Sequence, residues 1–150
     1  LTLKFLGDVS VTNLDLLKEV LQTVASEHPC FEFSVGGLGA FPTMRRPRVI
    51  WVGIEAPAEL FSVQSALENR LGRLGYTPEE RPFSAHLTLG RVTRTADPLD
   101  VQKIAQGLQA TKIGFLGAVQ VNQLHLYRSD LEPGGAEYTC LFSAPLAIKT

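Results

Sequence analysis

The sequence predicts an α+β fold in which duplicated β-α-β-β units form two pseudo-symmetric lobes, with antiparallel sheets, a central cleft and helices on the outside. Three observations predict it. Apolar residues recur with period two in some stretches and with helical spacing in others. The run Ala85-His86-Leu87-Thr88-Leu89-Gly90-Arg91 sets a histidine and a threonine two apart within an alternating pattern, so both point to one side of a strand while Leu87 and Leu89 point to the core. The opening Leu1-Thr2-Leu3 repeats Leu87-Thr88-Leu89 at an offset of 86 residues, with the histidine position falling one residue before Leu1. The sequence reads as one and three-quarter copies of a duplicated site, and if the residue before Leu1 is a histidine, each copy contributes one imidazole to the cleft. The expected organisation is one bilobal domain, with a first repeat of about residues 1–75 and a second of about 76–150. The amino end is expected to be trimmed, because a core strand would otherwise begin at the first residue.

Each element can be justified in turn. Leu1, Leu3 and Phe5 alternate with Thr2 and Lys4, the signature of a half-buried strand over 1–6. Apolar residues at 14, 17, 20, 21 and 24 predict a helix over 13–27, capped by Thr12 or Asn13. A strand follows at 31–35, and Gly36-Gly37-Leu38-Gly39 reads as a flexible turn. The segment 48–54 is apolar on both faces and reads as a central strand with Trp51 in the core. Pro57 opens a helix over 58–74, with Leu60, Val63, Leu67, Leu71 and Leu74 along one face and Gly75 at its end. The histidine strand occupies 85–92. Asp97 and Pro98 cap and open a third helix whose inward residues are Val101, Ile104, Ala105 and Leu108. Strands are expected over 113–119, 121–128 and 137–146, with Pro133-Gly134-Gly135 as the turn before the last.

Composition narrows the function. With 150 residues, 45% hydrophobic and 19% charged, the chain is a compact protein outside the disordered range. Its apolar runs are too short to cross a bilayer, and a soluble, cytoplasmic protein acting as a monomer is expected. A net charge of −1 argues against coating long nucleic acid. Arginines at 45, 46, 48, 70, 73, 81, 91 and 94 suit one anionic group better than a long backbone. Cys30 and Cys140 lack metal-ligand spacing and read as buried thiols. His28, His86 and His125 show no zinc pattern either, so neither a metal nor any other cofactor is expected.

The candidate catalytic residues are His86, Thr88 and Thr2, with a partner histidine expected immediately before Leu1. Strict alternation places Arg91 on the face of Leu87 and Leu89; a bulge or bend at Gly90 would re-aim it towards a phosphate, and the alternative is an arginine leaving the sheet edge into solvent. Lys4 shares the face of Thr2 and is either a phosphate contact or a solvated strand-edge lysine. Phe41 and Arg45 border the expected groove, where a ring can stack on a base and a guanidinium can meet a phosphate. His28 reads as a helix-end residue, and His125 lacks a threonine at 127.

The His86-Leu87-Thr88-Leu89 run resembles the repeated His-x-(Thr/Ser)-x mark of the two-histidine phosphoesterase superfamily. With Arg46-Pro47-Arg48-Val49-Ile50-Trp51, the segment 81–91 and the tail 126–138, it resembles the RNA 2′,3′-cyclic phosphodiesterases, also called 2′-5′ RNA ligases. Proline commonly precedes the second histidine in that family; here Ala85 stands there. The resemblance implies that His86 activates water, that the expected amino-terminal histidine protonates the departing 3′ oxygen, and that Thr2 and Thr88 donate to non-bridging phosphate oxygens. Two histidines with an unperturbed pKa near ~6.5 can hold opposite protonation states near neutrality without a metal. The implied partner is an RNA or oligonucleotide end bearing a 2′,3′-cyclic phosphate, giving a 2′-phosphate, and with a hydroxyl in place of water the implied reaction is a 2′-5′ ligation. Alternatives are another cyclic nucleotide or an ADP-ribose cyclic phosphate as substrate, or a non-catalytic RNA- or nucleotide-binding module.

Overall fold

The structure is a computed structural model and describes residues 1–148. A 3₁₀ turn, Val11–Asn13, leads into α1 (Leu14–Glu27). The remaining elements are β1 (Phe31–Thr43), β2 (Arg46–Glu55), α2 (Ala58–Arg73), β3 (His86–Arg91), α3 (Pro98–Ala110), β4 (Phe115–Val121), β5 (Gln123–Glu132) and β6 (Gly135–Pro145). Helices and antiparallel strands combine as the α+β class requires. The chain divides into two compact units, one of residues 32–56 and 84–119 together with Leu1, the other of residues 2–31, 57–83 and 120–150.

The first unit is built on a four-stranded sheet in the order β3-β2-β1-β4. β2 runs antiparallel to both β1 and β3. α3 packs against β2, and Ala105 and Leu108 are buried, as are Ala40 and Val52 of the sheet. Asp97 caps α3 by accepting a hydrogen bond from the Leu99 amide at 2.7 Å, with Pro98 in the first turn, where its missing N–H costs nothing.

In the second unit, α1 packs on α2 and on the β5–β6 hairpin. Leu17, Leu21, Val24 and Ala25 of α1 are buried, together with Leu60, Val63, Leu67 and Leu71 of α2 and Leu124, Leu126, Ala144 and Leu146. Fully burying each leucine or valine side chain of this set contributes about 1.5–3 kcal/mol, which makes this apolar set the main source of the unit's stability. His28 ends α1: its Nδ1–H donates to the Val24 carbonyl at 2.7 Å, and its Nε2 accepts from the Ser62 hydroxyl at 3.1 Å. Arg70 reaches both carboxylate oxygens of Glu27 at 2.7 Å. Pro133 and Gly134 make the tight turn between the paired ends Glu132 and Gly135.

Five expectations are corrected. The segment 1–6 alternates in sequence yet forms no strand. A strand needs a ladder as well as an apolar face, and this segment is instead anchored through Lys4, which is bonded to Glu68 and to the Thr77 carbonyl, both at 2.8 Å. The first helix is preceded by a 3₁₀ turn capped by Ser10, whose hydroxyl accepts from the Thr12 amide, and Asn13 makes no side-chain cap bond. The glycine-rich run is not a turn but part of β1. Gly37, at φ +74°, is the extra residue of a bulge, and a Cβ on Gly36 would stand 2.7 Å from the Gly114 carbonyl oxygen. Leu89 is 62% exposed rather than in the core. The cysteines are not buried: Cys30 is half-buried and Cys140 exposed.

Candidate active site

The face of the first unit's sheet opposite to Ala40 and Val52 carries most of the residues singled out in the sequence. Residues directly opposed on antiparallel strands share a face. His86 stands opposite Gly53, and Thr88 opposite Trp51. Trp51 in turn stands opposite Gly39, and Val49 opposite Phe41. His86, Thr88, Trp51 and Phe41 therefore share one face.

Arg91 joins them through a register shift. Ile50 pairs with Gly90 but Trp51 pairs with Thr88, so Leu89 is the extra residue of a bulge. The alternation is reset by one. Arg91 then opposes Val49, on the side of Trp51 and Gly53, and Leu89 is left facing out. The bulge expected at Gly90 is present, with the unpaired position one residue earlier.

The imidazole of His86 is half-buried and held in a defined tautomer. Its Nδ1 lies 2.7 Å from the Ser84 carbonyl oxygen. A carbonyl only accepts, so Nδ1 carries a proton, and in the neutral ring Nε2 is the nitrogen left with the lone pair. That is the form a general base needs. Phe41 meets the imidazole edge-on, with ring centroids 5.0 Å apart at 86°. Thr88, two residues along the strand, is exposed and offers a hydroxyl donor.

Arg45 lies exposed in the turn between β1 and β2. Arg48 is committed to the Thr93 carbonyl at 3.0 Å. Thr2 and Lys4 belong to the second unit. Thr2 is exposed, whereas the Lys4 side chain is 7% exposed and ion-paired with Glu68. Among the described residues, no group of three or more His, Cys, Asp or Glu side chains is placed to hold a metal ion, and no helix is long and apolar enough to cross a membrane.

Trp51 is the residue that reading the sequence misplaced. Its apolar neighbours suggested core, but the ring is half-buried and stands 6.2 Å from the imidazole and 5.3 Å from Phe41, centroid to centroid. The missing signal was the glycine opposite it, because only the β1–β2 register shows that Trp51 faces Gly39.

Residues 1–133 match the family model described as the 2′-5′ RNA ligase superfamily. A protein of Methanothermobacter thermautotrophicus named RNA 2′,3′-cyclic phosphodiesterase is 35% identical over 138 residues, which span 92% of this chain and 73% of that one. A protein of the same name from Aeropyrum pernix is 32% identical over 148 residues, 98% of this chain and 81% of that one. Among solved structures, E. coli LigT complexed with 3′-AMP matches with a TM-score of 0.74 at 25% identity, over 97% of this chain and 75% of that chain. TT0787 of Thermus thermophilus has the same fold, with a TM-score of 0.80 at 24% identity over 99% of this chain and 78% of that chain. On the family-model match over residues 1–133 and the two relatives at 35% and 32% identity, the chain belongs to the 2′-5′ RNA ligase superfamily.

Proposed function

We propose that this protein is a metal-independent RNA 2′,3′-cyclic phosphodiesterase that leaves a 2′-phosphate end, with 2′-5′ ligation as the companion reaction in which a 5′-hydroxyl takes the place of water. The observation that carries the reading is the His86 imidazole, held by Ser84 with Nε2 free on a face shared with Thr88 and Arg91. The names of the relatives support the same substrate.

In this reading His86 Nε2 takes a proton from water as the water oxygen attacks phosphorus. The bond from phosphorus to the 3′ oxygen breaks, and that oxygen takes a proton from a general acid. The product carries a 2′-phosphate and a 3′-hydroxyl. Thr88 donates to a non-bridging oxygen where charge accumulates, with Thr2 as its counterpart in the duplicated motif. Arg91 offers a bidentate contact to the same phosphate, and Arg45 and Phe41 border the bound nucleotide. Lys4 acts on the second unit's structure through Glu68 rather than on the phosphate.

The test is hydrolysis, with EDTA present, of a short RNA ending in 2′,3′-cyclic phosphate by the full-length protein and its His86→Ala variant. A positioned proton transfer is worth roughly 10²- to 10⁴-fold, and the variant is expected to lose that much with the fold intact. Turnover unchanged by the substitution would overturn the role of His86, and absence of turnover in the parent would overturn the substrate.

A further inference from the structure

Three rings meet on the active face. Phe41, Trp51 and His86 form a triangle with centroid distances of 5.3, 5.0 and 6.2 Å. The Ser84 carbonyl restrains the imidazole at one edge only, and the terminal torsion of histidine is otherwise broad. The two aromatic neighbours supply what that single bond lacks: they bound the tilt of the ring and so the direction in which Nε2 points.

Trp51 holds its place because there is no side chain beneath it. A Cβ on Gly39, its cross-strand partner, would overlap the Cη2, Cζ2 and Cζ3 atoms of the indole. Gly53, opposite His86, is the second bare position, where a Cβ would lie 3.5 Å from Trp51 Cζ3 and 2.8 Å from the Gly36 carbonyl oxygen. The indole Nε1–H is buried and has no hydrogen-bond partner among the described residues. An unpaired buried donor is unfavourable, and a smaller apolar ring would remove that burden. The indole is therefore poorly explained as core filling.

We infer that Trp51 is a positioning residue for His86, seated on the bare backbone of Gly39 so that, with Phe41, it aims Nε2 at the attacking water. The inference rests on the reading of His86 as the general base. Trp51 touches neither water nor phosphate in this role; it acts through the imidazole.

The experiment compares Trp51→Phe, Gly39→Ala and the double variant in the full-length protein, by steady-state kinetics on the cyclic-phosphate RNA and by ¹⁵N NMR of the histidine side chains. Misplacing a reacting group by an ångström costs up to about 100-fold, so each single variant is expected to lower kcat about 10- to 100-fold with KM little changed. The double variant is expected to resemble Trp51→Phe, since the shorter ring no longer meets the added methyl. The His86 signal should shift from the single Nδ1–H tautomer to a mixture in both single variants. Folded variants with parental kcat and an unchanged His86 signal overturn the inference. If Gly39→Ala does not fold, Trp51→Phe decides alone, because it puts a smaller ring in place of the indole. If the parent fails to turn over this RNA, the substrate reading falls, and the tautomer signal still decides whether Trp51 positions His86.

Discussion

Arg91 lies on the same sheet face as His86 although the two are five positions apart along β3, an odd offset that a regular strand would place on opposite faces. The bulge at Leu89 makes them neighbours on one surface. If Arg91 grips the substrate phosphate, Arg91→Ala should raise KM about tenfold or more while Arg91→Lys recovers part of the loss, because a lysine keeps the charge and not the planar fork. Steady-state kinetics on the cyclic-phosphate RNA would show it, and an unchanged KM in the alanine variant would return Arg91 to solvent.

The bulge needs no special backbone at Gly90. Its φ is not positive and a Cβ there would meet nothing within 4 Å. Gly90→Ala is therefore expected to be neutral or to stabilise by about 0.5 kcal/mol through the unfolded chain. Chemical denaturation measures this, and a loss above about 1 kcal/mol would mean that the glycine itself shapes the bulge.

Lys4 and Glu68 form a nearly buried ion pair at 2.8 Å, with side chains 7% and 18% exposed. Removing one partner strands the other. Lys4→Met alone is expected to cost about 3 kcal/mol, and the double variant Lys4→Met/Glu68→Leu appreciably less. A loss in the double variant equal to the sum of the Lys4→Met and Glu68→Leu losses, read from urea midpoints, would show that the pair contributes nothing as a pair.

The α3 cap offers a local check. Asp97→Ala leaves the Leu99 amide without its acceptor and should cost about 1 kcal/mol. Thermal melts of the two proteins test it, with hydrolytic activity expected to persist below the transition.

Cys140 should alkylate before Cys30. It is exposed on β6, with its sulfur 3.5 Å from the Ser143 hydroxyl and 3.9 Å from His125 Nδ1, whereas Cys30 is half-buried. The reagent has to reach the sulfur, and access is what separates the two thiols. Peptide mapping after brief iodoacetamide treatment identifies which thiol reacts first, and preferential labelling of Cys30 would contradict the exposure described.

Much of this architecture was legible in the sequence because apolar periodicity reports which face of an element is buried. The ends of α2 at Pro57 and Gly75, the Asp97 cap and the turn at Pro133 are set by local chemistry, and each falls where the residues indicated. The shared face of His86 and Thr88 was legible for the same reason, the two being two positions apart on a strand. What stayed hidden depends on partners distant in sequence. Alternation over 1–6 shows a possible face but says nothing about a neighbouring ladder. Gly36 and Gly39 resemble a turn until the Gly114 carbonyl and the Trp51 ring are seen to occupy the space beside them. The assignment of Trp51 to the core failed likewise, since composition does not reveal what stands across the sheet.

After Thr2 the chain passes between its two units at Phe31–Glu32, Ala56–Pro57, Phe83–Ser84 and Val119–Gln120. The consequence concerns how the molecule can be divided. No single cut of the polypeptide releases either unit whole, so a ribosome cannot finish one before much of the other has been made. Contacts between distant segments close costly loops before they repay the entropy. Gene fragments encoding either half would yield chains lacking part of both interiors.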